Sequence, residues 1–315
     1  MTKSVDPLVS IVTPSYNQAH YLEQTIQSVL GQDYAPIEYF LMDGGSTDGS
    51  REIIERYADR LAGWVSEKDK GQGAAINKGL ARARGEFVAW LNSDDFYLPG
   101  AVAEVVRIFR ENPQVGLVFG DVLAVDEKGQ RLNLLRYGDW GLEELMSFHI
   151  IGQPSVFMRR SVQEQAGLLD TSYHCLLDHH LWLRMAQLAE VRYIPKTLAA
   201  ARYHASAKNI AQPVNFSREA YRIADWVATQ PALADRLARD GKRIRAGLCS
   251  LSAFYLVEGG QPAAALRDYG RGFAAHPPTV LRAWRRVLLA LLNLLGLGRL
   301  KSVYLSLRRR KINRG

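Results

Sequence analysis

The sequence predicts an α/β fold with a mostly parallel central sheet flanked by helices, followed by a C-terminal helical extension. Three observations predict it. Short apolar runs alternate with helical periods through the first hundred residues, as in a parallel sheet. Each of the first four apolar runs ends in a polar loop rich in turn-forming residues. Beyond about Asn209 the strand-like runs give way to helix-forming residues.

Four short apolar runs are predicted as buried strands of one sheet. They span residues 8–13, 38–42, 61–66 and 87–91, and helices are predicted over residues 19–31, over a segment ending at Ala58, and over residues 71–84. We expect Pro14 to end the first strand, because it has no N–H to donate. Ser46 or Asp48 is expected to cap the helix that ends at Ala58.

The pattern becomes mixed after residue 98. Further elements are predicted as a helix over 99–110, paired strands over Val115–Phe119 and Asp121–Val125, a strand over Pro154–Met158, a helix over 178–189, and strands over 191–194 and 197–203. Residues 216–257 are helical in character, and 246–276 predict a hairpin of two helices. We therefore divide the chain into an α/β domain (1–210), a helical extension (211–278) and a basic tail (279–315).

The charge is unevenly placed along the 315 residues, whose formal net charge is +8. Residues 279–315 hold ten Lys or Arg and no Asp or Glu, so the preceding 278 residues have a net charge of −2. A nucleic-acid-binding face across the body is therefore not indicated. Cys175 and Cys249 form neither a disulfide framework nor a metal-ligand spacing, and the N-terminus lacks the apolar core of a signal peptide. We expect a cytoplasmic protein.

Polar loops follow the four predicted strands at Thr13–Asn17, Asp43–Asp48, Glu67–Gln72 and Asn92–Asp95. In a parallel sheet these loops lie along one edge, where open α/β sheets bind ligands. An Asp in one such loop is more often a turn residue than a ligand, but four loops together favour a binding site. Because Asp94 and Asp95 repel each other, a divalent cation holding a diphosphate is predicted beside them.

Four blocks of sequence resemble the family 2 glycosyltransferases, and they fall at residues 9–17, 43–50, 67–79 and 91–95. Weaker similarity continues at residues 153–160, 178–184 and 202–204, so the resemblance covers roughly residues 8–208. It implies the GT-A fold, which is Rossmann-like, and transfer of a sugar from a nucleoside-diphosphate sugar with inversion at the anomeric carbon. UDP-sugar is the donor expected by family habit.

The resemblance also implies which residues contact the nucleotide sugar. They are Thr13, Pro14, Ser15, Tyr16, Asn17, Asp43, Gly44, Ser46, Asp69, Gly71, Gln72, Asn77, Lys78, Ser93 and Asp94. Asp43 suits a base-edge or ribose contact, because a carboxylate accepts two hydrogen bonds. Lys78 either reaches a phosphate or is a solvated lysine.

A metal site is implied at Ser93-Asp94-Asp95, which matches the DXD element of the family. Asp95 is then the direct metal ligand, and Asp94 contacts the ribose or the diphosphate. Hard oxygen ligands suit Mn²⁺ or Mg²⁺. His204 is implied as a further metal ligand or phosphate donor, with a purely structural histidine as the alternative.

The catalytic base implied by the resemblance is Asp178, which would take the proton of the acceptor hydroxyl. Relatives have Glu-Asp at this point, whereas this chain has Leu177 before Asp178. Two alternatives stay open: Asp178 as a helix N-cap, and His179 as the base. Gln153 is expected on the acceptor side. The Gln-x-x-Arg-Trp element of processive synthases is not evident, which favours transfer of a single sugar.

The tail contains an apolar run, Val287–Gly298, flanked by basic residues. Its twelve residues are too few to span a bilayer, which takes about twenty. We predict that residues 279–315 form an amphipathic helix on an anionic membrane surface, near a saccharide or lipid-linked acceptor. The alternative is a helix packed on the catalytic domain.

Two rival functions were weighed against a glycosyltransferase. A dinucleotide-dependent oxidoreductase is disfavoured, because Pro14-Ser15-Tyr16-Asn17 stands where a G-x-G-x-x-G motif would follow the first strand. A non-catalytic sugar-nucleotide-binding protein stays open, because Leu177 replaces the first acid of the base motif.

Overall fold

A computed structural model describes residues 6–297. These residues form two compact units: an α/β unit of residues 6–142 and 150–203, and a helical unit of residues 143–149 and 204–297. Residues 298–315, which hold the end of the predicted membrane-binding tail, lie outside the described residues, as does the start of the N-terminus. The three domains predicted above, with their boundaries, stay predictions.

The α/β unit is built on one sheet of nine strands. The strands are β1 (Val9–Ser15), β2 (Ile37–Asp43), β3 (Gly63–Ser66), β4 (Phe87–Trp90), β5 (Phe96–Tyr97), β6 (Val115–Val125), β7 (Arg131–Leu135), β8 (Phe157–Arg159) and β9 (Glu190–Arg202). Their order is β3-β2-β1-β4-β8-β6-β9-β5, with β7 beside β6. Strands β1 to β4 are parallel, and the antiparallel β8 separates β4 from β6. The first four strands therefore end along one edge, as predicted.

Six α-helices of the described residues belong to this unit. They are α1 (Ala19–Leu30), α2 (Ser50–Glu55), α3 (Gln72–Leu80), α4 (Ala101–Glu111), α6 (Arg160–Ala166) and α7 (Leu177–Met185), whereas α5 (Leu142–Met146) falls in the helical unit except for its first residue. The apolar stripes of α1 and α4 pack on the inner strands, where Ile11, Leu22 and Phe87 are buried. Phe87 stacks on Phe109 of α4 with ring centroids 4.4 Å apart. Burial of these faces is the main force that joins helices to sheet.

The prediction of paired strands at Val115–Phe119 and Asp121–Val125 is wrong, because these residues form the single strand β6. Gly120 does not make a turn but allows β9 to approach closely, because a Cβ at this position would lie 2.5 Å from the Lys196 carbonyl oxygen. The register with β9 shifts at this point. The two strands predicted over 191–194 and 197–203 are likewise one strand, β9, which ends at Arg202.

Pro14 does not end the first strand, since β1 continues to Ser15, which pairs with Asp43. Pairing of β1 with β4 extends only to Val12, so the missing N–H of Pro14 removes no bond to β4. The strand predicted over 154–158 also differs, because residues 153–155 form a 3₁₀ turn before β8.

The second unit is helical. Its helices are α8 (Lys208–Ala211), α9 (Pro213–Ala228), α10 (Ala234–Glu258), α11 (Pro262–Ala275), α12 (Pro277–Arg282) and α13 (Trp284–Leu294). Residues 143–149 lie so close to α10 that a Cβ at Gly247 would be 2.0 Å from the Ser147 carbonyl oxygen. Tyr269 and Ala253 are buried in the core between α10 and α11. No helix within residues 6–297 is both long and apolar enough to cross a bilayer.

Candidate functional site

The loops after β1 and β2 are joined by hydrogen bonds. The Asn17 N–H donates to Ser46 Oγ (2.8 Å), and the Thr47 N–H donates to Asn17 Oδ1 (2.9 Å). The first N–H of α1, from Ala19, donates to Asp48 Oδ2 (2.9 Å). Asn17 has a φ of 51°, a left-handed conformation that asparagine tolerates better than most residues. The two predicted nucleotide loops thus form one structure.

The predicted cap of the helix after β2 is wrong. The N-cap of α2 is Gly49, and no side chain caps this helix. Ser46 and Asp48 serve the loop pair instead, and Asp48 Oδ1 also accepts from the Ser50 N–H (3.1 Å). Gly49 has a φ of 94°, which explains why a glycine stands at this position.

Asp43 is buried at the end of β2, and its carboxylate is held by four donors. Oδ2 accepts from the backbone N–H groups of Gly45 (3.1 Å) and Ser46 (2.9 Å) and from Ser66 Oγ (2.6 Å), while Oδ1 accepts from Ser46 Oγ. All four donors come from the loops and strand ends around it. Asp43 therefore organises this part of the edge, and its contact with a nucleoside stays a prediction.

Tyr16, Gly44 and Asp69 lie together at the same edge. A Cβ on Gly44 would be 3.1 Å from Asp69 Oδ2 and 3.3 Å from Tyr16 Cδ2, so glycine permits both side chains to approach. Tyr16 is 63% exposed, which is unusual for an aromatic ring. The Gly71 N–H donates to Asp69 Oδ1 (2.7 Å). An exposed aromatic ring can stack on a planar nucleobase, and a carboxylate beside it can accept hydrogen bonds from the polar groups of that nucleobase.

Three other predicted nucleotide contacts lie within β1 and are buried. Thr13 Oγ1 accepts from Tyr39 Oη at 2.9 Å, and the Ser15 carbonyl accepts from the Gly44 N–H at 2.8 Å. Thr13, Pro14 and Ser15 therefore support the edge of the sheet at which the first four strands end and their loops meet, called here the loop edge. A ligand contact for these three residues stays a prediction.

Asp95 is a buried carboxylate with unused acceptor capacity. Its Oδ1 accepts from the Arg202 N–H (2.9 Å), and Oδ2 has only a long contact with Asn92 Nδ2 (3.4 Å). Burial first, and then the neighbouring Asp94 carboxylate, raise the pKa of Asp95 well above its usual range. Two adjacent acids in a desolvated place are stabilised by a cation.

The donor set at Asp94 and Asp95 fits a hard divalent cation. Within residues 6–297, no three His, Cys, Asp or Glu side chains come together as a metal-binding cluster. A cation at this pair would therefore take its remaining ligands from water and from a bound ligand, as Mg²⁺ does with phosphates.

The backbone of the Asp94–Asp95 loop is held by Thr25 and Arg202, two residues distant in sequence. Thr25 Oγ1 lies 2.9 Å from the Ser93 carbonyl oxygen and 2.7 Å from that of Asp95. Arg202 Nε donates to the Asp94 carbonyl (3.0 Å). These contacts position the predicted metal ligands.

Arg202 is buried at the end of β9 and also binds other loops. Its guanidinium donates to the carbonyls of Asp126 (3.2 Å) and Glu127 (3.0 Å) and to Gln24 Oε1 (2.6 Å), and it lies 4.8 Å from the Tyr21 ring centroid. Sequence reasoning included Arg202 only within the family resemblance and missed its role. A basic residue at a strand end beside paired acids was the available signal, whereas Thr25 offered none.

A chain of side-chain amides connects three segments at this edge. Gln72 Nε2 donates to Asn92 Oδ1 (2.7 Å), and Asn92 Nδ2 donates to Gln153 Oε1 (3.1 Å). Gln153 Nε2 in turn donates to the Trp90 carbonyl (2.8 Å). Gln72 and Gln153 thus hold the loop after β4, and their predicted contacts with donor and acceptor stay predictions.

Two residues of α3 have protein partners. Asn77 makes two bonds with the Leu169 backbone: its Nδ2 donates to the carbonyl (2.9 Å) and its Oδ1 accepts from the N–H (3.0 Å). Lys78 Nζ lies 2.6 Å from Glu67 Oε1 in an exposed ion pair. The predicted nucleotide contacts of Asn77 and Lys78 stay predictions.

Helix α7 begins at the edge where the loops meet. Its Trp182 stacks on Trp90, the last residue of β4, with centroids 5.0 Å apart and planes at 22°. The Leu177 side chain comes within 3.5 Å of the position of a Cβ on Gly73, at the start of α3. Asp178 lies one turn before Trp182, on the same helix face. Packing therefore directs the first turn of α7, with Asp178, to the loop edge.

Asp178 is half-buried, and its Oδ1 accepts from the His179 N–H (2.7 Å). The N-cap of α7 is Leu176, so the alternative of Asp178 as N-cap is wrong. His179 is 1% exposed, which disfavours it as a base that must meet an acceptor. His204 belongs to the second unit, where its Nδ1 lies 2.8 Å from Ser206 Oγ, and its role stays a prediction.

Comparison with known proteins places the chain in a family. Residues 10–164 match the family described as Glycosyl transferase family 2. An uncharacterized glycosyltransferase of Rickettsia typhi is 30% identical over 212 residues, which are 63% of this chain and 64% of that protein. The chain thus spans less than two thirds of the length of these curated relatives.

Two solved structures resemble this one. S. aureus TarS 1–349, in complex with UDP-GlcNAc, matches with a TM-score of 0.60 and 16% identity over 92% of this chain and 89% of that one. The mannosyltransferase PcManGT of Pyrobaculum calidifontis, in complex with GDP-Man and Mn²⁺, matches with a TM-score of 0.61 and 20% identity over 94% and 88%. Both likenesses concern the fold, which is GT-A. Through residues 10–164, the chain belongs to glycosyl transferase family 2.

Proposed function

We propose that this protein transfers one sugar from a nucleoside-diphosphate sugar to a hydroxyl of a saccharide or lipid-linked acceptor, with inversion at the anomeric carbon. The observation that carries the proposal is the loop edge itself. There the buried Asp95 lies beside Asp94, and Leu177, the first residue of α7, packs close to Gly73 at the start of α3. Family membership supports the reaction class.

The nucleoside is assigned to the group formed by Tyr16, Gly44 and Asp69, and the diphosphate to Asp94 and Asp95. When bound, Mn²⁺ or Mg²⁺ supplies positive charge that stabilises the leaving diphosphate. UDP-sugar is the proposed donor. The two similar structures hold UDP-GlcNAc and GDP-Man, which differ in their nucleobase. The first experiment below therefore tests which nucleobase this protein binds.

We assign Asp178 as the general base, which takes the proton of the acceptor hydroxyl. The acceptor oxygen forms a bond to the anomeric carbon while its proton passes to the Asp178 carboxylate. The bond between the anomeric carbon and the diphosphate oxygen breaks, and its electron pair leaves with the diphosphate. A single displacement inverts the configuration.

Thermal unfolding with UDP-, GDP-, TDP- and CMP-sugars, each with and without Mn²⁺, tests the donor site. We expect one nucleotide class to raise the melting temperature, and to do so only with the metal, because a ligand bound to the native state stabilises it. The same donor is then tested for hydrolysis and transfer. If none of these donors shifts the melting temperature, the proposed donor site is contradicted.

Asp178→Asn separates catalysis from binding. We expect sugar transfer to fall about 10²- to 10⁴-fold, the usual contribution of a general base, with the metal-dependent donor shift retained. Asp170→Asn is the matched control, because Asp170 lies in the segment leading to α7 and accepts from the Ser172 N–H and Oγ. Native protein that binds donor but neither hydrolyses nor transfers it would instead support the non-catalytic sugar-nucleotide-binding protein.

A further inference from the structure

The last two described helices, α12 and α13, carry an exposed apolar stripe. It consists of Leu281, Trp284, Leu288, Leu291 and Leu295, which are 57%, 55%, 46%, 43% and 70% exposed. Their spacing alternates between three and four residues, which places Trp284, Leu288 and Leu291 on one face of α13, with Leu281 in α12 and Leu295 just after α13. Among the described residues, seven of the twelve exposed large apolar side chains fall between 281 and 297. Such a concentration marks an interaction surface rather than scattered exposure.

A neighbouring face of the same helices is packed in the core of the helical unit. Val280 and Ala290 are buried there, and Ala283, Val287 and Leu289 pack around them. Helix α13 contacts α10 and α11 through this face. The helix is therefore anchored by one apolar face and presents a second one outward.

Basic side chains accompany the stripe. Arg282, Arg285 and Arg286 are all exposed. The Arg285 guanidinium lies 5.4 Å from the centroid of the Trp284 ring, whereas that of Arg286 lies 3.9 Å from the Phe254 ring. Between residues 279 and 315 there are ten Lys or Arg and no Asp or Glu. The apolar surface is thus bordered by charge of one sign.

This charge pattern indicates which partner binds the apolar stripe. If a second copy covered the stripe, arginines would meet arginines, since no acid in residues 279–315 is present to pair with them. Residues 298–315 are also unsuited to cover the stripe, because they are basic, hold no acid and would repel the arginines beside it. An anionic lipid surface complements both features: its headgroups attract the arginines, and its acyl boundary accepts leucine and tryptophan side chains.

We propose that the stripe Leu281–Leu295, with Arg282 and Arg285 beside it, docks the protein on an anionic membrane surface without crossing it. The inference deepens the proposed function and rests on it only for the reason to approach a membrane, namely a lipid-linked acceptor. Vesicle binding is measured without donor, metal or acceptor. A failure of docking is therefore distinguishable from a failure of the proposed reaction.

The experiment is flotation of the full-length protein with vesicles of phosphatidylcholine alone or with about 30% phosphatidylglycerol, an anionic lipid. We expect the protein to float with the anionic vesicles only. The substitutions Trp284→Ser, Leu288→Ser and Leu291→Ser together should weaken binding at least about tenfold, because they remove most of the buried apolar area. The matched control is Leu188→Ser, Ile210→Ser and Phe273→Ser, whose side chains are 49%, 47% and 47% exposed. It should bind as the native protein does.

The charge contribution is tested separately with Arg282→Gln and Arg285→Gln. Each arginine near an anionic surface contributes about 1 kcal/mol, so the pair should weaken binding about thirtyfold. Arg286 is left unchanged because of its contact with the Phe254 ring. Melting temperatures of all variants confirm that they fold.

Several results would overturn the proposal. The first is no flotation of the native protein, and the second is equal loss of binding in the stripe variant and its control. Light scattering that shows a dimer which the stripe substitutions dissociate would assign the surface to a second copy. Full binding by the stripe variant, lost only on deletion of residues 298–315, would assign the binding to those residues instead.

Discussion

Two aspartates at the loop edge are similarly buried, with 1% of Asp43 and 6% of Asp95 exposed, yet their surroundings differ. Asp43 accepts four hydrogen bonds from its own loops. Asp95 has one good donor, one contact at 3.4 Å, and a second acid beside it. The difference teaches that residue type and position at a strand end do not assign a role. The number of donors around the carboxylate does.

A carboxylate that accepts several short hydrogen bonds stabilises the loop in which it lies. A buried carboxylate with few donors and an acidic neighbour destabilises the free protein, and a bound cation would compensate it. Asp43 fits the first description and Asp95 the second. Five substitutions test this contrast.

The largest effect is expected from Asp95→Asn. Loss of a metal-binding carboxylate should lower sugar transfer about 10³-fold, since metal stabilisation of the leaving group supplies several kcal/mol. The melting temperature of the metal-free protein should not fall, because the substitution removes charge repulsion with Asp94. Activity with saturating Mn²⁺ and thermal unfolding measure the two effects. A marked loss of stability would show that Asp95 is structural in the way that Asp43 is.

Asp43→Asn should show the converse, with a loss of stability as its primary effect. An asparagine offers one oxygen in place of two. With that oxygen at the Oδ2 position, its NH₂ group faces Ser46 Oγ, whose hydroxyl loses its acceptor. We expect the free energy of unfolding to fall by about 2–3 kcal/mol. Urea unfolding gives this value directly. Unchanged stability together with a lost donor shift would reverse the comparison and make Asp43 primarily a ligand residue.

Arg202→Lys tests how the Asp95 loop is positioned. A lysine cannot replace a planar guanidinium that donates to Asp94, Asp126, Glu127 and Gln24. We expect the Mn²⁺ concentration for half-maximal activity to rise about tenfold, roughly 1.4 kcal/mol, with a smaller change in kcat. A titration with metal at saturating donor measures it. An unaltered Mn²⁺ requirement would show that Arg202 does not position the acids.

The smallest effects are expected from Ser66→Ala and Thr25→Val, which form a matched pair across the two loops. Each removes one hydroxyl that contacts its loop: Ser66 bonds Asp43, and Thr25 bonds the Ser93 and Asp95 carbonyls. Both should cost about 1 kcal/mol of stability. Only Thr25→Val should raise the Mn²⁺ requirement, so an equal metal response of the two variants would remove the distinction between the loops.

The fold and much of the loop edge were predictable from sequence, because each rests on local pattern. Short apolar runs that alternate with helical segments imply parallel strands, and parallel strands bring the polar loops at their carboxyl ends to one side of the sheet. The failures were local patterns that tertiary packing overrides. Gly120 predicted a break, but the strand continues because β9 approaches it.

The sequence by itself determined the α/β class, the edge on which the polar loops meet, and the acids present there. Only the tertiary structure decided which acid has four donors and which has one short hydrogen bond and one long one. That decision depends on partners far along the chain: Ser66 for Asp43, and Arg202, 107 residues away, for Asp95. Hydrogen-bond donors reach a carboxylate through space, and their sequence separation leaves no periodic pattern from which to predict them.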